Sequence, residues 1–195
     1  RQAAREAGVA ERTEFRVEDV LRADLAPASV VTIYLLPSLM AQLGPRLLYE
    51  LKPGTRIVTH AFVFPSWKPD RVERVVLAER RFGQSDESTV MMWVVPAQAR
   101  GRYGAAAGPQ QAGEWRLEIA QNFQEIEIEG SLAGQPLRFE SARLSGNEIT
   151  WSGTARTAQG DRPMRFSGRV LADRILGEMQ LGSGGAVPFA ALRQP

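Results

Sequence analysis

Residues 30–62 read "VVTIYLLPSLMAQLGPRLLYELKPGTRIVTHAF", and this stretch decides the fold. "VVTIYLL" (30–36) is a continuous apolar, β-branched run that stops at Pro37, the pattern of a strand covered on both faces. From Ser38 to Leu51 the apolar spacing becomes helical, with Leu39, Leu43, Leu47, Leu48 and Leu51 along one face. Pro45 falls near the first turns of this helix or divides it. "KPG" (52–54) then turns the chain into "TRIVTHAF", a second buried strand over 56–62. Strand, helix and strand at this spacing form a βαβ unit, hence parallel pairing with a right-handed crossover.

Working outward, Gln2 to Ala7 read as helix with Gly8 as a C-terminal stop. "TEFRVED" follows, and 14–18 is expected as a further parallel strand. "VLRADLAPAS" reads as a loop. Beyond the unit, "VFPSWKPD" is an irregular loop with two prolines. The segments 72–80 and 88–95 read as an antiparallel pair joined by the charged "GQSDE" turn.

Residues 97–113, "AQARGRYGAAAGPQQAG", lack an apolar period and are expected to be a linker between an α/β part (1–96) and a β part (114–195). The β part alternates with period two in six or seven short strands separated by "AGQ", "SGN", "AQGD" and "ADR". "LRFESARLSGNEITWSG" is weakly echoed by "MRFSGRVLADRILGEMQ", a sign of duplicated hairpins. An antiparallel meander or barrel is expected, with Trp115, Trp151, Phe139 and Phe166 in its core.

Composition narrows the chemistry. The 195 residues include no cysteine, which excludes disulfides and thiolate metal sites, and one histidine, which argues against a zinc enzyme or a Ser-His-Asp triad. No apolar run reaches the roughly 18 residues of a membrane span. No secretory signal is present at the start, so a cytoplasmic location is expected. The net charge of +2 is spread as 15 basic and 12 acidic residues over 1–112, and 9 and 10 over 113–195. Neither half has the basic cluster of a nucleic-acid binder, so no nucleic-acid partner is expected.

Residues 1–96 resemble the later part of class I S-adenosylmethionine-dependent methyltransferases. The likeness rests on "AAREAGVAERTEFRVEDV", "VVTIYLLP" and "LLYELKPGTRIVTHAF". "YLLP", "PRLLYELKPGTRIVTH" and the Trp67–Pro69 "W-x-P" look closest to bacterial relatives of the ATP synthase c-subunit lysine methyltransferases. The resemblance implies an α/β plus all-β chain: a partial Rossmann-like sheet followed by the β meander or barrel. It implies S-adenosylmethionine as cofactor and methyl transfer to a nitrogen or oxygen nucleophile, with protein lysine as the suggested acceptor. The family's Gly-rich cofactor loop and ribose-binding acid are absent, and the "GSGG" at 182–185 reads as a turn. On this expectation, the cofactor site is incomplete, this chain alone is inactive, and an edge strand invites pairing with a missing N-terminal segment or a second copy.

The same resemblance assigns roles. Asp19 and the Val20 N–H would meet the adenine, against the plainer reading of Asp19 as a turn cap. Tyr34 and Leu35 would line the cofactor at the C-terminal edge of the sheet, where open parallel sheets bind ligands. Tyr34 and His60 are the candidate catalytic groups. Pro37 and Trp67 are the candidate substrate walls. No metal site is expected. The rival reading is a non-catalytic binding protein with a degenerate half-sheet and a β domain that holds a partner or a small apolar ligand.

Overall fold

The computed structural model describes residues 1–76, 87–107 and 113–195 as two sheets in sequence. The elements are α1 (Gln2–Glu6), β1 (Val30–Ile33), α2 (Pro37–Glu50), β2 (Arg56–His60), β3 (Arg71–Val76) and β4 (Glu87–Val94). They continue with β5 (Gly101–Ala107), β6 (Trp115–Asn122), β7 (Glu125–Leu132), β8 (Gln135–Ser145) and β9 (Glu148–Thr157). The last three are β10 (Gly160–Val170), β11 (Arg174–Leu181) and β12 (Val187–Arg193).

The first sheet has the order β1-β2-β4-β3. β1 and β2 run parallel with Val31 opposite Ile57, as the βαβ spacing requires. β4 inserts antiparallel between β2 and β3. Both strands of the parallel pair are shorter than expected, ending at Ile33 and His60. The expected turn between β3 and β4, and the far end of the 72–80 strand, lie outside the described residues.

Helix α2 takes Pro37 as its first residue, where a missing N–H costs nothing. It passes through Pro45 without a break. Its buried side is Met40, Leu43, Gly44 and Leu47, with Leu39 and Leu48 only half-buried. Gly44 is there for clearance: a Cβ would stand 3.1 Å from the Phe64 ring. Against this helix pack Ile33, Ile57, Phe64, Met91 and Trp93.

The expected strand at 14–18 does not form. Phe15 and Val17 alternate as a strand would, yet both are exposed, and no ladder includes them. Alternation supplies a strand face, but a strand exists only when its backbone groups have partners.

The linker assignment is corrected as well. Within 97–113, Gly101–Ala107 is strand β5, paired with β6 on one side and β12 on the other. This pairing closes β5 to β12 into an eight-stranded up-and-down barrel. Eight strands enclose just enough space for side chains. Tyr103, Trp115, Trp151, Met164, Phe166 and Phe189 are among those that fill it. Phe166 lies over Gly168 and the facing Gly177, where any Cβ would collide with its ring. β7 and β8 share the ladder pairs Ser131–Pro136 and Leu132–Gln135 next to their turn and stay side by side in the closed barrel.

Candidate functional site

β1 and β2 share a direction, so Tyr34 and His60 leave the sheet at the same edge. β4 runs the other way and brings its start there too, with Val90 opposite His60. The Tyr34 and His60 rings are 5.4 Å apart between centroids, tilted by 41°. His60 Nε2 is hydrogen-bonded to Ser88 Oγ. His60 Nδ1 is buried without a partner among the described residues. Tyr34 is 79% exposed, and Leu36 beside it is also exposed. Leu35 is half-buried against the first core.

The turn after His60 is unusual. Phe62 N–H donates to His60 O at 2.8 Å across Ala61, whose φ is 63°. A bond spanning three residues about a positive φ is the strained γ-turn. It is held by Ala61 N–H donating to Thr89 O and by Thr59 Oγ1 donating to Phe62 O. Backbone strain of this kind concentrates at functional sites. Its effect is to reverse the chain within one residue and leave the imidazole standing at the sheet edge.

Chemically the edge offers a hydroxyl, an imidazole with one nitrogen committed to Ser88, and an open apolar shelf. Ser88 and Ala61 escaped the reading of the sequence. Finding Ser88 requires knowing that β4 lies beside β2, and nothing local in "GQSDESTV" says so.

Asp19 and Val20 stand apart from this cluster in their contacts. Asp19 Oδ1 accepts the Leu21 N–H at 3.0 Å, and Oδ2 lies 3.7 Å from Arg22. That is the capping role. Arg46, in the second half of α2, donates to the carbonyls of Val20 and Ala23 and pairs with Glu50, so it ties this turn to the helix. Pro37 begins α2 directly after the Tyr34–Leu36 loop and is exposed.

Trp67 is not on the edge. It is 3% exposed, stacked between Phe64 and Phe123 at 5.6 and 5.7 Å. Its carbonyl accepts the Trp93 indole N–H. The sequence shows a tryptophan in a proline-flanked loop, but the partner that buries it, Phe123, comes from the start of the barrel. Among the described residues no group of acidic residues or histidine is arranged to hold a metal. No helix among them is long and apolar enough to cross a membrane.

Residues 1–71 match the model of the ANTKMT methyltransferase domain. This segment is related to S-adenosylmethionine-dependent methyltransferases. A protein-lysine N-methyltransferase of Saccharolobus islandicus is 40% identical over 68 residues, 35% of this chain and 42% of that protein. A lysine N-methyltransferase of Rattus norvegicus, named for the ATP synthase c-subunit, is 36% identical over 63 residues, 32% of this chain and 29% of that one. The crystal structure of an RNA methyltransferase from Salinibacter ruber with S-adenosyl-L-homocysteine is 41% identical, with a TM-score of 0.41, covering 50% of this chain and 57% of that one. The matches span less than half the length of these two curated methyltransferases.

Proposed function

We propose that the edge carrying Tyr34 and His60 is the methyl-transfer edge of a methyltransferase, with a protein lysine amine as acceptor. The match of residues 1–71 to a methyltransferase model, among relatives named for lysine methylation, carries this reading. In it, the mixed sheet is the second half of a Rossmann-like sheet and the protein works in the cytoplasm. The relatives are named as enzymes, which weighs against the non-catalytic alternative.

The residues present fit one side of the cofactor. The exposed Tyr34 ring with Leu35 and Leu36 is an apolar shelf suited to a flat or thioether-bearing group, and the buried Nδ1 of His60 awaits a partner. S-adenosylmethionine, when bound, supplies an electrophilic methyl group. Methyl transfer asks mainly for alignment of the acceptor lone pair. Tyr34 positions the amine through its hydroxyl. The tilted imidazole of His60, steadied by Ser88, accepts a proton as the amine reacts. Pro37 borders the path by which the acceptor side chain enters. Asp19 accepts the adenine amino group on the oxygen not used by Leu21. The outer edge of β1, which has no neighbouring strand among the described residues, pairs with another segment or copy.

The test is a graft. Residues 1–71 replace the aligned segment of the Saccharolobus islandicus relative, and transfer of a labelled methyl group to a lysine peptide is measured. Transfer that falls at least 10-fold on His60→Ala agrees with the reading. A folded graft that binds S-adenosylhomocysteine yet transfers no methyl, or is indifferent to both Tyr34→Phe and His60→Ala, refutes the role of this edge.

A further inference from the structure

Strand register brings His60 and Ser88 together. His60 ends β2 and stands directly opposite Val90 of β4. Residues two apart on a strand share a face, and diagonal neighbours across a ladder lie within reach of a long side chain. Ser88 is that diagonal neighbour, and its Oγ is hydrogen-bonded to His60 Nε2. The register is pinned beside them, because the Ala61 N–H donates to the Thr89 carbonyl. On its other side Ser88 faces Val75 of β3, whose side chain has no hydrogen-bonding group.

A neutral imidazole carries one ring proton, and the partners of its two nitrogens decide where it sits. If Nδ1 held the proton, Nε2 would accept the Ser88 O–H, and Nδ1–H would be a buried donor with no acceptor among the described residues. Buried N–H groups without an acceptor are rarer than buried acceptors left partly unfilled. If Nε2 holds the proton, it donates to Ser88 Oγ, and Nδ1 buries only a lone pair. The Ser88 hydroxyl suits this second arrangement, since the residue is half-buried and its own hydrogen still reaches water.

We propose that Ser88 is a positioning residue for His60: its Oγ accepts the Nε2–H and holds the ring in the tautomer whose lone pair is on Nδ1. What this does chemically rests on the methyl-transfer reading above. Nε2 is then a donor and cannot be the base, so the proton that the acceptor amine sheds passes to Nδ1. The imidazolium formed keeps its Nε2–H on the Ser88 oxygen, and a hydrogen bond from a charged donor is stronger than one from a neutral ring. Because Nδ1 is buried, water does not compete for its lone pair before the amine arrives. Tyr34, 79% exposed and 5.4 Å from the imidazole, is the neighbour with room to move aside as the amine enters.

His60 is the sole histidine of the chain, so nitrogen-15 resonances from labelled histidine report on it alone. In the full chain, with the ring neutral, Nε2 should show the shift of a protonated ring nitrogen and Nδ1 that of a bare one. The Nε2–H proton should be visible, held from exchange by Ser88. Ser88→Ala should lose that proton signal to exchange with water, and Ser88→Thr, which keeps a hydroxyl, should retain it. Amide spectra confirm that each variant is folded. The proposal is overturned if Nδ1 carries the proton in the wild type, or if the Nε2–H signal persists equally in Ser88→Ala. The chemical role is read separately, in a fusion that places the part of the Saccharolobus islandicus relative preceding the aligned segment ahead of this full chain. There Ser88→Ala should lower kcat for a lysine peptide about 3- to 10-fold, the loss of one hydrogen bond, with KM unchanged. Equal kcat in the two overturns the part given to Nδ1. A folded fusion that binds S-adenosylhomocysteine yet transfers no methyl overturns the methyl-transfer reading and that part with it, while the tautomer stands or falls on the spectra.

Discussion

The Trp67 indole N–H donates to the Gln124 side-chain carbonyl at 3.0 Å, and the Gln124 amide returns a bond of 2.8 Å to the Lys68 carbonyl. One side chain at the turn between β6 and β7 thus fastens the first sheet to the barrel. Lys68–Glu125, at 3.3 Å and largely exposed, adds little.

Gln124→Ala therefore removes both bonds and leaves the Trp67 N–H buried without an acceptor. We expect a loss of about 1–3 kcal/mol, the range for stranding one buried donor. Lys68→Ala should lose less than about 1 kcal/mol. Chemical denaturation of the two variants checks the order; equal losses would mean that the ion pair, not Gln124, holds the junction.

Gly177→Ala should destabilise the barrel by about 1–3 kcal/mol through overpacking. The added methyl would stand 2.8 Å from the Phe166 ring and 2.2 Å from the Ser167 carbonyl. Phe166→Leu in the same background should recover little, because the backbone clash remains. Thermal melts of the single and double variants measure this.

Asp70, just before β3, accepts the Val94 N–H at 2.7 Å. Burial pushes its carboxyl above the ordinary value, and the Val94 bond opposes the shift. A carboxyl raised on folding binds its proton more tightly in the folded state. Its contribution to stability is therefore fully present below the ordinary carboxylate pKa and falls as pH rises through the raised one. Asp70→Asn keeps an acceptor and cannot ionise. We expect the wild type to lose stability relative to Asp70→Asn as pH rises from 3 to 7. A constant difference in denaturation midpoint over that range would show that Asp70 is unperturbed.

Asp19 separates two roles by substitution. In the grafted methyltransferase, Asp19→Ala should weaken S-adenosylhomocysteine by roughly 10- to 150-fold, the loss of a bond to a charged acceptor. Asp19→Asn should cost less. Calorimetry that finds both variants at wild-type affinity, with folding intact, would leave Asp19 as the cap of the Leu21 turn alone.

The parallel pair was legible because its evidence is local. "VVTIYLL" and "TRIVTHAF" are β-rich runs, and the helix between them carries its own period and its own stop. Pairings between distant residues were not. "GRYGAAA" offers almost no β-branched or bulky residue, and it is a strand because β12, some ninety residues later, lies beside it. The reverse error at 14–18 has the same root: alternation was present, a partner was not. At the candidate edge, Tyr34 and His60 followed from the strand ends. Ser88 and the γ-turn at Ala61 followed only from the register of β4. Trp67 drew attention for its chemistry and proved to be mortar, since Phe123 and Gln124 lie far along the chain.

The closure of the barrel has a kinetic consequence. The contacts from β5 to β12 form between consecutive strands, except for the one that joins β12 back to β5. Hairpins between neighbours need only short loops to close and form early, whereas the last seam needs ends separated by most of the barrel to meet. Arg193 is placed to secure that meeting: it donates to the carbonyls of Gln98 and Arg100, and its guanidinium lies 5.0 Å from the centre of the Tyr103 ring. Until it docks, the folding chain is an open ribbon with two bare edges, and each can accept the other from a different molecule as readily as from its own. At high concentration the refolding chain should then yield exchanged dimers, in a proportion that rises when Arg193 is replaced by alanine.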